Sequence, residues 1–382
     1  MAKNDIVDFY REKGISPVAQ DIADIDTHYE RRRKLYRQCG MPVQIFRNAN
    51  VLEIGPGSGY NTLAFFHWGS HVDLVEPNEV GVSNMKKLFN GYGVSGSQFH
   101  IYPCSMEEFS KNINTGESVY DIIIAEGFMD AIDNPAEVIG KIKNFCVHGG
   151  VVIITCADDI GMFIESVKRL LGVVLTKDIA EYGEKVNFLV ECFAPQLCSL
   201  KGMSRSVRDW VEDQMLCPSF INGNSLSIPE AIDLFGEDYY LLGTSQVMFT
   251  DYSWYKDVWH DRTEDIKEQY KRKRFSLLMA GMEEIELEPD MSESLTSDFS
   301  DIRCLCSEYE RTHEPNKLSE LSDVLGKIKN TIHFFPQGFS DVFSEIQVAV
   351  EDAIWDRIDF SKYPHFFKAF GRSQQYLAVE RI

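Results

Sequence analysis

The chain has 382 residues, of which 44% are apolar and 25% charged, and a net charge of −21. That composition belongs to a globular protein with material for two domains, and its acidity argues against a nucleic acid as partner, because phosphate contacts dominate such affinity. No apolar run approaches the ~20 residues that a membrane-spanning helix needs, and the opening residues are charged, unlike a signal peptide.

Residues 1–20 read as a short amphipathic helix, with Ile6, Phe9 and Tyr10 on one face and a stop at Gly14 and Pro17. Asp26–Arg37 reads as a second helix, which Thr27 is placed to cap and whose body is basic. Two readings stand for Arg31, Arg32 and Arg33. One is a solvated helix face. The other is a lid in which His28, Tyr29 or an arginine folds over a ligand pocket and meets a carboxylate or phosphate.

Strands are then expected at Asn50–Gly55, His71–Glu76, Phe99–Pro103, Tyr120–Ala125 and Gly149–Cys156. Helical segments fall between them, at Thr62–Trp68, Glu79–Tyr92, Glu107–Ile113 and Pro135–Val147. Such alternation predicts a parallel sheet with helices on both faces, and ligands at the C-terminal ends of the strands. Asp159–Gly172 reads as an amphipathic helix and Val186–Ala194 as a strand. A helix capped by Ser204 or Ser206 is expected up to Pro218, another at Ile228–Phe235, and a last strand at Tyr239–Met248. From about residue 262 the strand rhythm stops. Lys267–Met282 reads as helix and the acidic Glu283–Asp301 as a loop. Asp301–His313, Lys317–Phe334, Gly338–Phe360 and the last twenty residues read as helices.

The chemistry is concentrated where the first strand ends, at Glu53-x-Gly55-x-Gly57-x-Gly59. Glycine there permits a tight turn and lets the backbone approach a ligand, and the helix that follows offers unpaired N–H groups. The dinucleotide fingerprint G-x-G-x-x-G would require glycine where Tyr60 stands. Glu76 closes the second strand, at the usual distance for an acid that takes ribose hydroxyls. Cys104-Ser105-Met106 follows the third strand, and Glu126 with Asp130 follows the fourth.

In order and spacing these four stations resemble the class I S-adenosylmethionine-dependent methyltransferases, strongly over residues 45–160 and loosely to about 255. Two later runs, from Lys201 to Trp210 and from Phe249 to Lys256, are similar to segments of bacterial methyltransferases from sugar and surface-glycan gene sets. The resemblance implies an α/β fold with a doubly wound, mostly parallel seven-stranded methyltransferase-type sheet, N-terminal lid helices and a C-terminal helical subdomain. The expected divisions are a lid at 1–45, the cofactor-binding domain at 46–260 with a substrate-side segment at 195–237, and the helical subdomain at 261–382.

It further implies S-adenosyl-L-methionine as cofactor, held by Tyr29, Glu53, Gly55, Gly57, Gly59, Glu76, Ser105, Met106 and Glu126. Cys104 stands where the family usually has Asp, and Ala131 where an acid–histidine pair would have its histidine. Candidate proton acceptors are therefore Asp130, Glu126 and His28. Arg205, Arg208 and Trp210 are candidates for holding a substrate anion or sugar ring, or else a solvated helix face. No metal is expected, since Cys304-x-Cys306 lacks a second pair.

The expected activity is methyl transfer to a hydroxyl, or secondarily a nitrogen, of a small molecule or glycan. The alternatives are a non-catalytic cofactor- or partner-binding protein and an NAD-dependent oxidoreductase, which Tyr60 opposes. Three readings stand for the helical third: a cover over the active site, an interface for self-association, or a surface for a partner. The nine scattered cysteines point to a reducing compartment and hence to the cytoplasm.

Overall fold

The computed structural model describes residues 5–112, 119–129, 132, 134–200, 202–218, 225–257 and 262–382. Seven strands form one sheet: β1 Asn50–Ile54, β2 His71–Val75, β3 Phe99–Tyr102, β4 Tyr120–Ala125, β5 Cys146–Ala157, β6 Tyr239–Thr244 and β7 Gln374–Arg381. Their order is β3-β2-β1-β4-β5-β7-β6. The first five pair in parallel, and β7 runs antiparallel between β5 and β6.

Val51, Ile122, Ile124 and Ile153 join one core and Leu52, Ile54, Ile123 and Ile154 the other. Both faces are covered, so these strands read as unbroken apolar runs. The helices are α1 Asp5–Lys13, α2 Ile25–Gln38, α3 Thr62–His67, α4 Glu79–Gly91, α5 Met106–Asn112 and α6 Pro135–Phe145. Tyr36 of α2, Phe65 of α3 and Phe89 of α4 pack on the first face. Phe109 of α5 and Ile142 of α6 pack on the second.

Beyond β5 come α7 Asp159–Thr176, α8 Tyr182–Leu197, the short α9 Val207–Trp210, which opens into a wider turn at Val211–Leu216, and α10 Ile228–Phe235. Five more helices lie between β6 and β7: α11 Thr263–Lys273, α12 Pro289–Thr312, α13 Pro315–Thr331, α14 Gln337–Ile354 and α15 Pro364–Lys368. The helical region is thus an insertion between two neighbouring strands, and the chain returns from it to complete the sheet.

Helix α7 sits at the centre of this insertion's core, with sixteen of its 18 residues buried. Its polar residues fasten the returning chain. Lys168 Nζ donates to the carbonyls of Phe367 at 3.1 Å and Ala369 at 2.5 Å. Glu165 accepts the Gly371 N–H at 3.0 Å. The crossing is so close that a Cβ on Gly371 would overlap the Gly161 carbonyl.

Four local expectations are corrected. Val186–Ala194 lies in helix α8, because Val186, Leu189, Phe193 and Leu197 are the buried residues and share a helical face; a short apolar run fits either period. The expected Glu283–Asp301 loop becomes α12 from Pro289 onward, with proline in the first turn. The last twenty residues carry strand β7, in which buried Leu377 and Val379 face the second core and Ala378 the first. Its partner is β5, more than two hundred residues away in sequence, so local pattern alone cannot reveal it. Helix α2 is capped by Asp24, which accepts the Thr27 N–H at 3.1 Å, and not by Thr27.

Candidate active site

The three glycines of the turn after β1 all have positive φ, at 69°, 59° and 79°. Gly59 is also a packing requirement, since a Cβ there would come within 2.8 Å of Phe89. Glu76, just past β2, is 5% exposed. Its carboxylate accepts the Gly57 N–H at 2.7 Å and the Asn78 N–H at 2.8 Å. Burial pushes this carboxyl up to about 7, against the pull of those two backbone donors. Glu53 is buried at the end of β1 and accepts the Thr62 hydroxyl at 2.6 Å. Burial lifts its carboxyl to about 8. Neither acid has a cation within ion-pair distance among the described residues.

Glu126, immediately after β4, has the opposite surroundings. Arg32 Nη2 donates to its two oxygens at 2.5 and 2.6 Å, Tyr36 donates its hydroxyl at 2.6 Å, and Asn61 Nδ2 lies at 3.3 Å. Both members of the Arg32–Glu126 pair are about nine-tenths buried. Arg32 also faces the rings of Tyr36, at 4.7 Å, and Tyr376, at 6.0 Å. Its Nε is buried without a hydrogen-bond partner. Of the three adjacent arginines, Arg32 thus pairs with a carboxylate of the protein itself at the strand ends.

His28, one turn before Arg32, is 4% exposed. One of its ring nitrogens, Nε2, lies 3.0 Å from the Tyr60 carbonyl. A carbonyl only accepts, so Nε2 carries the hydrogen and Nδ1 keeps the lone pair in the neutral ring. Burial, and then the neighbouring Arg32, hold the imidazole below its usual pKa. Tyr29 stacks on His67, with ring centroids 4.1 Å apart.

Ser105 stands just before α5, where its N–H reaches Glu108 at 3.0 Å and its hydroxyl accepts the Glu108 N–H at 3.2 Å. Met106 packs beside the second core. Arg205 pairs with Asp213 at 2.5 Å, Arg208 reaches Asn187 Oδ1 at 2.6 Å, and Trp210 packs on Phe193 at 5.4 Å. Asp130 lies outside the described residues. The structure thus brings His28, Glu53, the glycines, Glu76 and Glu126 together, and holds Arg205, Arg208 and Trp210 on the α9 segment.

Sequence reasoning missed Tyr36, Asn61 and Tyr376 around Glu126. It also missed Gln374, whose Nε2 lies 3.9 Å from where a Cβ on Gly127 would stand. Tyr36 and Tyr376 arrive from separate parts of the chain, and no local motif marks them. Among the described residues no group of three or more His, Cys, Asp or Glu could hold a metal ion, and no helix is long and apolar enough to cross a membrane.

Residues 28–212 match a family whose description is a methyltransferase domain. Among solved structures, PKMT2 from Rickettsia typhi in complex with AdoHcy is similar at 14% identity and a TM-score of 0.42, over 63% of this chain and 49% of that one. An S-adenosylmethionine-dependent methyltransferase from Mesorhizobium loti is similar at 11% identity and 0.26, over 31% and 50%. TehB from Haemophilus influenzae is similar at 20% identity and 0.25, over 29% and 36%. The chain spans half or less of the length of these three. No curated protein matches it.

Proposed function

We propose that this chain, whose residues 28–212 form a class I S-adenosylmethionine-dependent methyltransferase domain, moves a methyl group to a hydroxyl of a small molecule or sugar by in-line displacement. The observation that carries the proposal is the Glu76 carboxylate, held under the glycine turn by two backbone N–H groups. Each of its oxygens keeps a lone pair for a ribose hydroxyl.

The surrounding residues fit the cofactor. At Gly55, Gly57 and Gly59 a Cβ would crowd Phe128, Val18 and Phe89, so only glycine lets the turn pack this closely, and the buried Nε of Arg32 lacks an acceptor. In this reading Glu76 holds the ribose and Glu53 and Glu126 line the methionine side with Tyr29. Ser105 and Met106 border the adenine. When bound, the cofactor supplies a methyl group already activated on a sulfonium. The protein's work is then alignment and the exclusion of water.

An oxygen nucleophile also needs somewhere to send its proton. His28 is the residue we assign, through Nδ1, since its environment keeps the ring neutral. Arg32, Tyr36 and Asn61 fix the orientation of Glu126, the second candidate beside Asp130. Arg205, Arg208 and Trp210 would lie on the acceptor side. The acidic chain favours a neutral acceptor such as a sugar over a phosphate-rich one.

Calorimetric titration with S-adenosylmethionine, its demethylated product and NAD tests the reading. Binding of the first two and not NAD is expected. Glu76→Ala should weaken both by about tenfold or more, the loss of one charge-assisted contact. Binding of NAD alone would overturn the proposal. A screen of sugars and small hydroxylated compounds with labelled cofactor tests the acceptor class, and methylation confined to amines would overturn the hydroxyl assignment.

A further inference from the structure

The segment Ile15–Gln20 joins α1 to α2 and has no part in the chemistry above, yet it lies directly on the glycine turn. Asn78 Nδ2 donates to the Ile15 carbonyl at 3.1 Å. The hydroxyls of Ser16 and Ser58 are 2.9 Å apart, and Gln20 Nε2 donates to Asn61 Oδ1 at 3.1 Å. Between these contacts Val18 fills the concavity left by the missing side chain of Gly57, where a Cβ would overlap Val18 Cγ2. Both ends are tied to other elements. The Ile15 N–H reaches the Tyr10 carbonyl at 2.9 Å, and the Tyr10 hydroxyl donates to Asp213 at 2.7 Å. The Asp21 N–H reaches the Ser204 carbonyl at 2.5 Å.

The course of the segment matters. It starts at Asn78, two residues past Glu76, crosses Gly57 and Ser58, and ends at Asn61 at the head of α3. A ligand whose ribose is held by Glu76 and whose other end reaches toward α3 and Glu126 needs that same line of contacts. Gly57 is also the residue that donates to Glu76, so the side chain seated on Gly57 stands beside the ribose carboxylate. Two occupants cannot share the concavity.

We propose that Ile15–Gln20 is an intrasteric strap lying in the cofactor's path, which cofactor binding must displace. This rests on the methyltransferase reading. The three polar contacts and one isopropyl group make a closure of modest strength. It lowers apparent affinity by the fraction of molecules in which it is open. A strap that instead closed over bound cofactor would add contacts to it. The two arrangements predict opposite signs for the same substitution.

Val18→Ala, with Gln20→Ala as a second variant, is titrated calorimetrically with S-adenosylhomocysteine. The expected result is binding about three- to tenfold tighter than wild type, the gain from a larger open fraction. The double variant Ser16→Cys/Ser58→Cys brings two thiols within disulfide reach. Its oxidised form should lose at least about tenfold in affinity, as a closed strap requires, and recover on reduction. The two single-cysteine variants, carried through the same oxidation, control for the native cysteines. Unchanged or weaker binding by both alanine variants, or wild-type affinity of the oxidised double variant, overturns the strap while leaving the methyltransferase reading intact, because binding is then observed. No binding by any form, the reduced and alanine variants included, overturns both.

Discussion

Around the glycine turn, Glu53 and Glu76 are buried with no cation at ion-pair distance among the described residues and are pushed up to about 8 and 7. Along α7, buried charges are spent on partners. Lys168 and Glu165 hold the returning chain, Arg169 pairs with Glu310 at 2.5 Å, and Asp158 takes Arg274 at 2.7 Å and the Tyr270 hydroxyl at 3.0 Å. An unmatched buried carboxylate is costly, and it persists where a ligand can bring the missing donors. A matched one is a fastening.

The contrast can be broken by substitution. Lys168→Met removes the charge that partly offsets the burial of Glu165 and leaves two carbonyls without a donor. It should cost about 3–5 kcal/mol in urea unfolding. Arg32→Met should cost about 3 kcal/mol by the same mechanism, offset in part because Tyr36 and Asn61 still reach Glu126. A smaller loss for Lys168→Met than for Arg32→Met would show that α7 is not the tighter joint.

Protonation sharpens the contrast. Glu53 and Glu76 have folded-state pKa values raised above the ordinary carboxylate value of 4.5. The folded state therefore holds their protons more tightly than the unfolded chain does. Their contribution to stability is fully present below 4.5 and is lost as pH rises to about 8. The melting temperature of the ligand-free protein should fall across that window, and Glu53→Gln should flatten the decline. Cofactor affinity should move the other way. An ionised Glu76 is the better acceptor for ribose hydroxyls, so calorimetry should find binding about tenfold tighter at pH 8 than at pH 6.

The smallest effect lies at the start of α10. Glu230 accepts the N–H and the hydroxyl of Ser227 at the start of α10, each at 2.7 Å. Ser227→Ala should cost about 1 kcal/mol and leave cofactor affinity unchanged.

Strands β1–β5 were legible because each is a compact apolar run followed by its own turn, and the pattern repeats along the chain. Glu53, the glycines and Glu76 were legible for the same reason, lying in one βαβ stretch. Strand β7 was not, because its partners are remote and its eight residues carry no turn signal of their own. The surroundings of Glu126 were only half legible. The basic helix announced an arginine, but Tyr36, Asn61 and Tyr376 converge through the fold. The strap was hidden because Val18 and Ser16 are ordinary residues whose meaning comes from Gly57 and Ser58 beneath them.

Helix α7 has a consequence for how the molecule comes apart. It follows directly from β5, it is the wall of the helical core, and its Gly161 is crossed by the residues leading into β7. The sheet cannot keep its seventh strand in register if the helical region melts, and that region cannot keep its core if α7 detaches from β5. What looks in sequence like a catalytic unit followed by a helical appendix should therefore melt in a calorimeter as a single peak, its van't Hoff and calorimetric enthalpies equal.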